Sequence, residues 1–268
     1  MKLSLINLNT QGTPFFAKDL TLRYKKIAEL LNQENPDIVC LQEVSTYYHL
    51  FLLKKYLKYP NFIYKNFFHG PKGGLLIVSK LPIEKMIFKR FDKLGSLNNI
   101  SFFSHIVQNG LLMAKIKDQP IVIINAHTFS DFEFDWSQTN KYYEHVEDEV
   151  KQTASEINTL VNQKKTVIIA GDFNMKKDST LYKDFLQKTG ATDTFNSETS
   201  PTYYNDRLDY KFKGKISARI DFVFVNEGKK KIKIASHSPM FNKEYPITDK
   251  KLSYLSDHIG LQVKFDIN

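Results

Sequence analysis

The chain has 268 residues, 42% of them hydrophobic and 25% charged, with 38 Lys+Arg against 29 Asp+Glu, a formal charge of +9 and a pI near 9.3. Those proportions are ordinary for a soluble globular protein, and the single cysteine, Cys40, excludes an internal disulfide. No apolar run approaches 18 residues and no charged segment leads into a long apolar core at the start, so neither a transmembrane span nor a Sec-type leader is expected.

No Pro/Gly/Ser-rich linker, repeat or low-complexity block divides the sequence, so residues 1–268 are expected to form one domain, and a monomer. Its expected location is the cytoplasm, or outside the cell by a route without a visible Sec signal. A basic surface suits nucleic acid or an anionic membrane face, and equally serves plain solubility.

The run Leu3–Leu8 alternates as a strand and delivers Asn9 to its end. A turn-rich loop follows, then a helix over 19–34 with Leu20, Ile27, Leu30 and Leu31 at helical spacing, Asp19 as its N-cap and Pro36 as its stop. Residues 37–41 read as a short buried strand holding an inert Cys40 and presenting Gln42 and Glu43. A second helix is expected near 46–58, its stripe of Tyr47, Leu50, Phe51 and Leu53 facing the core.

Five strand-like runs then follow without helices: 74–79, 86–91, 100–107, 111–116 and 120–125. Neighbouring strands without crossovers must be antiparallel, which argues against a doubly wound parallel sheet and for mixed sheets in an α+β arrangement. The last run ends in Asn125-Ala126-His127, and the aromatic-rich 129–136 reads as a loop. A long helix over 141–163 leads to Thr166-Val167-Ile168-Ile169-Ala170-Gly171, a buried strand that opens onto Asp172-Phe173-Asn174. A shorter helix near 179–188, a strand at 220–225 with Asp221 in its first residues, a solvated turn at Lys229–Lys231 and a final strand at 259–265, preceded by Ser256-Asp257-His258, complete the chain.

Asn9, Glu43, His127, Asp172, Asn174, Asp221, Asp257 and His258 therefore all stand at strand ends or in the adjoining turns, where chemistry commonly sits. Four acids, two amides and two histidines offer many oxygen ligands and no sulfur, which suits Mg²⁺ or Mn²⁺ over a structural zinc. Asp172 and Asn174, two apart on an extended segment, are expected side by side. No HExxH, GxSxG or phosphate-binding glycine loop is present.

Leu8-Asn9, Leu41-Gln42-Glu43-Val44, Gly171-Asp172-Phe173-Asn174, Arg219-Ile220-Asp221 and Ser256-Asp257-His258, in this order over residues 8–258, resemble the endonuclease/exonuclease/phosphatase superfamily of nucleases, tyrosyl-DNA phosphodiesterases, inositol-phosphate 5-phosphatases and neutral sphingomyelinases. The resemblance implies a four-layer α/β/β/α sandwich, two mixed β-sheets flanked by helices, and a divalent-metal-dependent phosphodiesterase. It implies Glu43 as the leading Mg²⁺ (or Mn²⁺) ligand with Asn9 and Asp257 nearby, and Asp172 as the group that activates water. Asn174 would polarise a phosphate oxygen, His258 would be held by Asp221 against the phosphate, and His127 would supply a second donor to the phosphate or act near the leaving group. Arg207 and Arg219 are read equally as phosphate contacts or structural salt bridges.

The many nucleases of the superfamily that the chain resembles, with the basic balance, make nucleic acid the leading substrate class. The stretch Gly73-Gly74-Leu75-Leu76-Ile77-Val78-Ser79 is similar to that of bacterial sphingomyelinases, and with the aromatic loop it supports the alternative, a phospholipase-C-like enzyme acting on a phospholipid. A catalytically silent binding module would be marked by lost acids, and none of Glu43, Asp172, Asp221 or Asp257 is lost.

Overall fold

A computed structural model describes residues 1–12, 18–92, 108–130, 135–209 and 214–268. The strands are β1 (Lys2–Asn9), β2 (Ile38–Gln42), β3 (Asn61–Ile63), β4 (Leu76–Ser79), β5 (Ile83–Arg90), β6 (Gly110–Ile116), β7 (Ile121–His127), β8 (Thr166–Asp172), β9 (Thr192–Asp193), β10 (Tyr203–Tyr204), β11 (Ser217–Ala218), β12 (Asp221–Asn226), β13 (Ile232–Met240), β14 (Tyr245–Thr248), β15 (Lys251–Ser253) and β16 (Gly260–Ile267). The helices are α1 (Leu20–Glu34), α2 (Tyr47–Tyr56), α3 (Tyr143–Asn162) and α4 (Thr180–Thr189).

Two six-stranded sheets, ordered β13-β16-β1-β2-β4-β3 and β5-β6-β7-β8-β12-β9, form the frame. Each is mixed: β1 runs parallel to β2 through α1, β7 runs parallel to β8 through α3, and the flanking pairs are antiparallel. Period-two alternation assigns each side chain to a layer. Leu3 and Leu5 of β1 meet Ile168 and Ala170 of β8 between the sheets. Ile6 and Leu8 face α1 and α2, and Val167 and Ile169 face α3 and α4. The fold is thus the four-layer sandwich, and its continuous apolar strands are continuous because both faces are covered.

Buried amides staple the sheets beneath one end of the sandwich. Gln42 Nε2 donates to Asn7 Oδ1 at 2.8 Å and to Asn125 Oδ1 at 2.7 Å, while Asn125 Nδ2 reaches the Leu41 and Leu76 carbonyls at 2.9 and 3.0 Å. Gly171 has no room for a side chain, since a Cβ there would lie 2.1 Å from the Ala126 carbonyl oxygen. That close approach seats the end of β8 against β7.

Several local expectations are corrected. Asp19 does not cap α1: it adopts φ 50° and makes no side-chain cap, and its carboxylate instead pairs with Lys251 at 2.5 Å. The α2 stripe is core in its leucines and not in its aromatics. Leu50, Leu52 and Leu53 are buried, whereas Tyr47 and Phe51 face solvent, because the short helix packs by a narrower face than its aromatic content suggests. The runs ending at Ser79 and Arg90 are consecutive in sequence, yet β4 and β5 belong to different sheets. The proposed strand at 100–107 lies outside the described residues, as does the middle half of the loop 129–136. Cys40 is fully buried, and burial pushes its thiol up, as expected of an inert side chain.

Candidate active site

The C-terminal ends of the two parallel pairs meet, and the register fixes which side chains face one another. Asn9 pairs with Gln42 across β1–β2, His127 with Asp172 across β7–β8, and Asp221 with Asp172 across β12–β8. Asn9 links the halves: its Nδ2 donates to Glu43 Oε1 at 3.1 Å and to Asp172 Oδ2 at 3.0 Å. Its own Oδ1 accepts the Gln11 amide at 3.0 Å, so the carboxamide is held at both ends.

Glu43 follows β2 in the left-handed region at φ 57°, a conformation that carries strain in a non-glycine residue and is found preferentially at functional sites. Gly74, itself at φ 64°, makes this possible. A Cβ there would lie 3.1 Å from the Glu43 Cα, and its carbonyl accepts the Val44 amide at 2.9 Å.

Asp172 is buried, and its Oδ1 accepts the Asn174 amide at 3.0 Å. Asn174 adopts φ 44°, so the two side chains are set by a tight turn, not by the extended alternation expected from the sequence. Its Nδ2 donates to the Thr128 carbonyl at 3.1 Å. Burial raises the Asp172 carboxyl above its ordinary range and the nearby Asp221 raises it further, while His258 and His127 oppose the shift.

His258 Nδ1 donates to Asp221 Oδ2 at 2.8 Å, and its Nε2 points to Asp172 Oδ2 at 3.7 Å. Burial alone would lower the imidazole, but Asp221 and then Asp172 outweigh it and hold His258 well above its usual value. The Tyr203 ring packs 5.0 Å away, and Ser256 Oγ accepts the His258 amide while donating to the Asn9 carbonyl at 2.7 Å. His127 Nε2 lies 3.9 Å from Asp172 Oδ2, and its buried Nδ1 has no partner among the described residues.

Burial pushes the Asp257 carboxyl up to about 6, and Glu43 adds to the shift against the opposing His258. Two carboxyl groups that repel across a partly desolvated space, beside an amide, form an all-oxygen donor set fitted to a hard cation. Asp172, Asp221 and His258 also group within 4.8 Å, but there the imidazole Nδ1 is already committed to Asp221. Asn9, Glu43 and Asp257 offer oxygen donors of the kind a hard divalent cation takes.

All eight side chains singled out from the sequence thus converge on one end of the sandwich. Arg219 is structural: its Nη2 bridges both Asp193 oxygens at 2.7 and 2.9 Å, and its Nη1 binds the Phe195 and Glu198 carbonyls. Arg207 is clasped between the Tyr204 and Tyr254 rings at 4.2 and 4.4 Å, with a buried Nη1 that has no partner among the described residues. The sequence reading missed the Gln42–Asn125 staple and Glu149. The amides offered no signal, since a buried amide pair has no motif.

Glu149, on α3, is buried and accepts the Phe129 amide at 2.6 Å, anchoring the segment just past His127. Burial pushes its carboxyl from the ordinary 4.5 up to about 8. The folded state therefore holds a proton that the unfolded state releases, and stability drains away as pH rises from about 4.5 to about 8. Glu149→Gln keeps the acceptor without the charge. It is expected to flatten that slope and to raise unfolding free energy at pH 8 by roughly 1–3 kcal/mol, read by urea denaturation across the pH range.

The sequence pattern of the Endonuclease/Exonuclease/phosphatase family matches residues 6–258, spanning every side chain of this site. The chain belongs to that family. A putative neutral sphingomyelinase of Drosophila melanogaster is 26% identical over 277 residues, covering 100% of this chain and 61% of that protein. The chain thus spans less than two thirds of that relative's length. Among solved structures of the same fold, truncated Caenorhabditis elegans TDP2 superposes with a TM-score of 0.73 at 18% identity, covering 98% of this chain and 97% of its own. The D. rerio TDP2 complex with a single-strand DNA product gives 0.72 at 17% identity, covering 99% of each chain. Among the described residues of this family member, no helix is long and apolar enough to cross a membrane.

Proposed function

We propose that this protein hydrolyses a phosphodiester with the help of a divalent cation, Mg²⁺ or Mn²⁺. The observation that carries the reading is the chain of contacts from Glu43 through Asn9 to Asp172, with the Asp221–His258 pair on its far side. Asn9, Glu43 and Asp257 would hold the cation. Once bound, it would offset the negative charge that makes a phosphodiester resist nucleophiles.

Asp172 takes the proton of the attacking water. Its carboxylate is oriented by Asn9 and by the Asn174 amide, and burial makes it more basic than an ordinary aspartate, which suits proton abstraction. Asp221 fixes the His258 ring through Nδ1 and leaves Nε2 for a phosphate oxygen. Thr128 takes one hydrogen of Asn174 Nδ2, and the second serves a non-bridging oxygen. His127, with its unpartnered Nδ1, serves the leaving-group side.

For the substrate, the neutral sphingomyelinase relative supports a phosphosphingolipid. Nucleic acid is the second reading, supported by the +9 charge. With Mg²⁺, sphingomyelin in mixed micelles is expected to release phosphocholine, and EDTA to abolish the release. No release from sphingomyelin, together with cleavage of single- or double-stranded DNA or RNA, would sink the lipid reading. Nucleic-acid binding of the second kind should weaken steeply with salt, because lysines displace condensed counterions. DNA affinity that stays flat from low to high salt would remove the nucleic-acid reading.

A further inference from the structure

The connection that carries Glu43 leads directly into a surface that the proposed chemistry leaves unused. Tyr47, Tyr48 and Phe51 of α2 are 43%, 51% and 56% exposed, and Phe68, in the turn between β3 and β4, is 75% exposed. The turn is fastened to the helix. The Tyr47 hydroxyl donates to the Phe67 carbonyl at 2.7 Å, and the Tyr47 amide donates to the His69 carbonyl at 3.0 Å. The Phe67 and Phe68 rings lie 4.7 Å apart, so these aromatics form one patch and are not scattered singles. A cluster of this kind on a surface marks a place where another surface is met.

The segment that builds most of the patch carries charge of one sign. Residues 44–83 contain six lysines and no aspartate or glutamate. Lys54 lies over the Tyr64 ring at 4.8 Å and Lys72 over the Phe67 ring at 5.5 Å, so ammonium groups rim the aromatic patch. Protruding rings bordered by lysines match the boundary of an anionic bilayer, where aromatic bodies enter between headgroups and ammonium groups meet lipid phosphates. His69 Nδ1 bonds the Ser45 carbonyl at 2.8 Å, and Ser45 Oγ bonds the Glu43 carbonyl at 3.2 Å. Tyr47 follows Glu43 by only four positions, about 14 Å of chain at most.

From this juxtaposition we infer that the face formed by α2 and the β3–β4 turn docks the protein on an anionic membrane surface, beside the Glu43 edge of the site. The inference rests on the phosphosphingolipid reading for its purpose, since docking would bring lipid phosphodiesters to that edge.

Sedimentation with vesicles of phosphatidylcholine and phosphatidylserine tests it. The intact protein is expected to partition onto them, and the double variant Phe51→Ser/Phe68→Ser to partition roughly 10–100-fold more weakly, as two partly inserted rings are lost. Hydrolysis of water-soluble bis(p-nitrophenyl) phosphate should be unchanged in that variant, which verifies its fold and site. A double variant that partitions like the parent, or a parent that ignores the vesicles, overturns the docking face. Loss of oligonucleotide binding in the variant, with no vesicle binding by the parent, overturns it in favour of a base-stacking surface. Vesicle binding that depends on the two phenylalanines, without phosphocholine release from sphingomyelin, upholds docking and removes the substrate reading instead.

Discussion

Glu43→Gln is expected to leave the fold intact, weaken Mg²⁺ binding at least about tenfold and lower turnover about 10²–10⁴-fold, since a catalytic cation supplies several kcal/mol of charge stabilisation. Glutamine has the same shape, and its carbonyl can still accept from Asn9 Nδ2, which now lies 3.1 Å from Glu43 Oε1. What disappears is the formal charge, at a position whose φ of 57° the surrounding turn already tolerates. Circular dichroism and a thermal melt would verify the fold, and titration calorimetry with Mg²⁺ would read the affinity. Unchanged metal affinity would remove Glu43 from the ligand set.

The second large effect concerns Asp221 and His258, 37 positions apart and joined at 2.8 Å. Asp221 is fully buried, so its carboxylate is tolerable only with a partner that carries charge or donates to it. His258→Ala should lower turnover by about 10²–10⁴-fold, the span typical of losing a positioned proton-transfer group. Asp221→Asn should cost more in rate than in stability. The shape is kept, but an amide nitrogen facing Nδ1 forces the ring into the wrong tautomer or orientation. The double variant should be scarcely slower than the worse single one, because residues that act as a unit are not additive. Single-turnover rates on all four proteins form the cycle. If the two losses simply multiply, the residues act independently and the pair is not a functional unit.

The sequence by itself determined the layers and the address of the site. Runs such as Val167–Ala170, apolar on both faces, can be stable only between two covering layers, and polar residues stand at or beside the ends of such runs. Asn9, Glu43, His127, Asp172, Asp221, Asp257 and His258 were legible for that reason, and the structure brings all of them to one end of the sandwich.

Other features were decided only in three dimensions. Whether β4 and β5 share a sheet depends on which edge is open once both sheets exist, and nothing in either strand encodes that choice. Asp19 lost its capping role to an αL backbone and a partner more than two hundred residues away, Lys251. The α2 aromatics read as core because helical period reports that a face is apolar, not what covers it; the structure leaves Tyr47 and Phe51 facing solvent. Asn174 stands beside Asp172 through a left-handed turn, and Glu43 holds its strained backbone against Gly74. Both geometries depend on close packing between segments remote in sequence, which local propensity cannot express. The same limit hid the Gln42–Asn125 staple and the buried Glu149, since burial of a polar group is a property of the assembled layers and not of its neighbours in the chain.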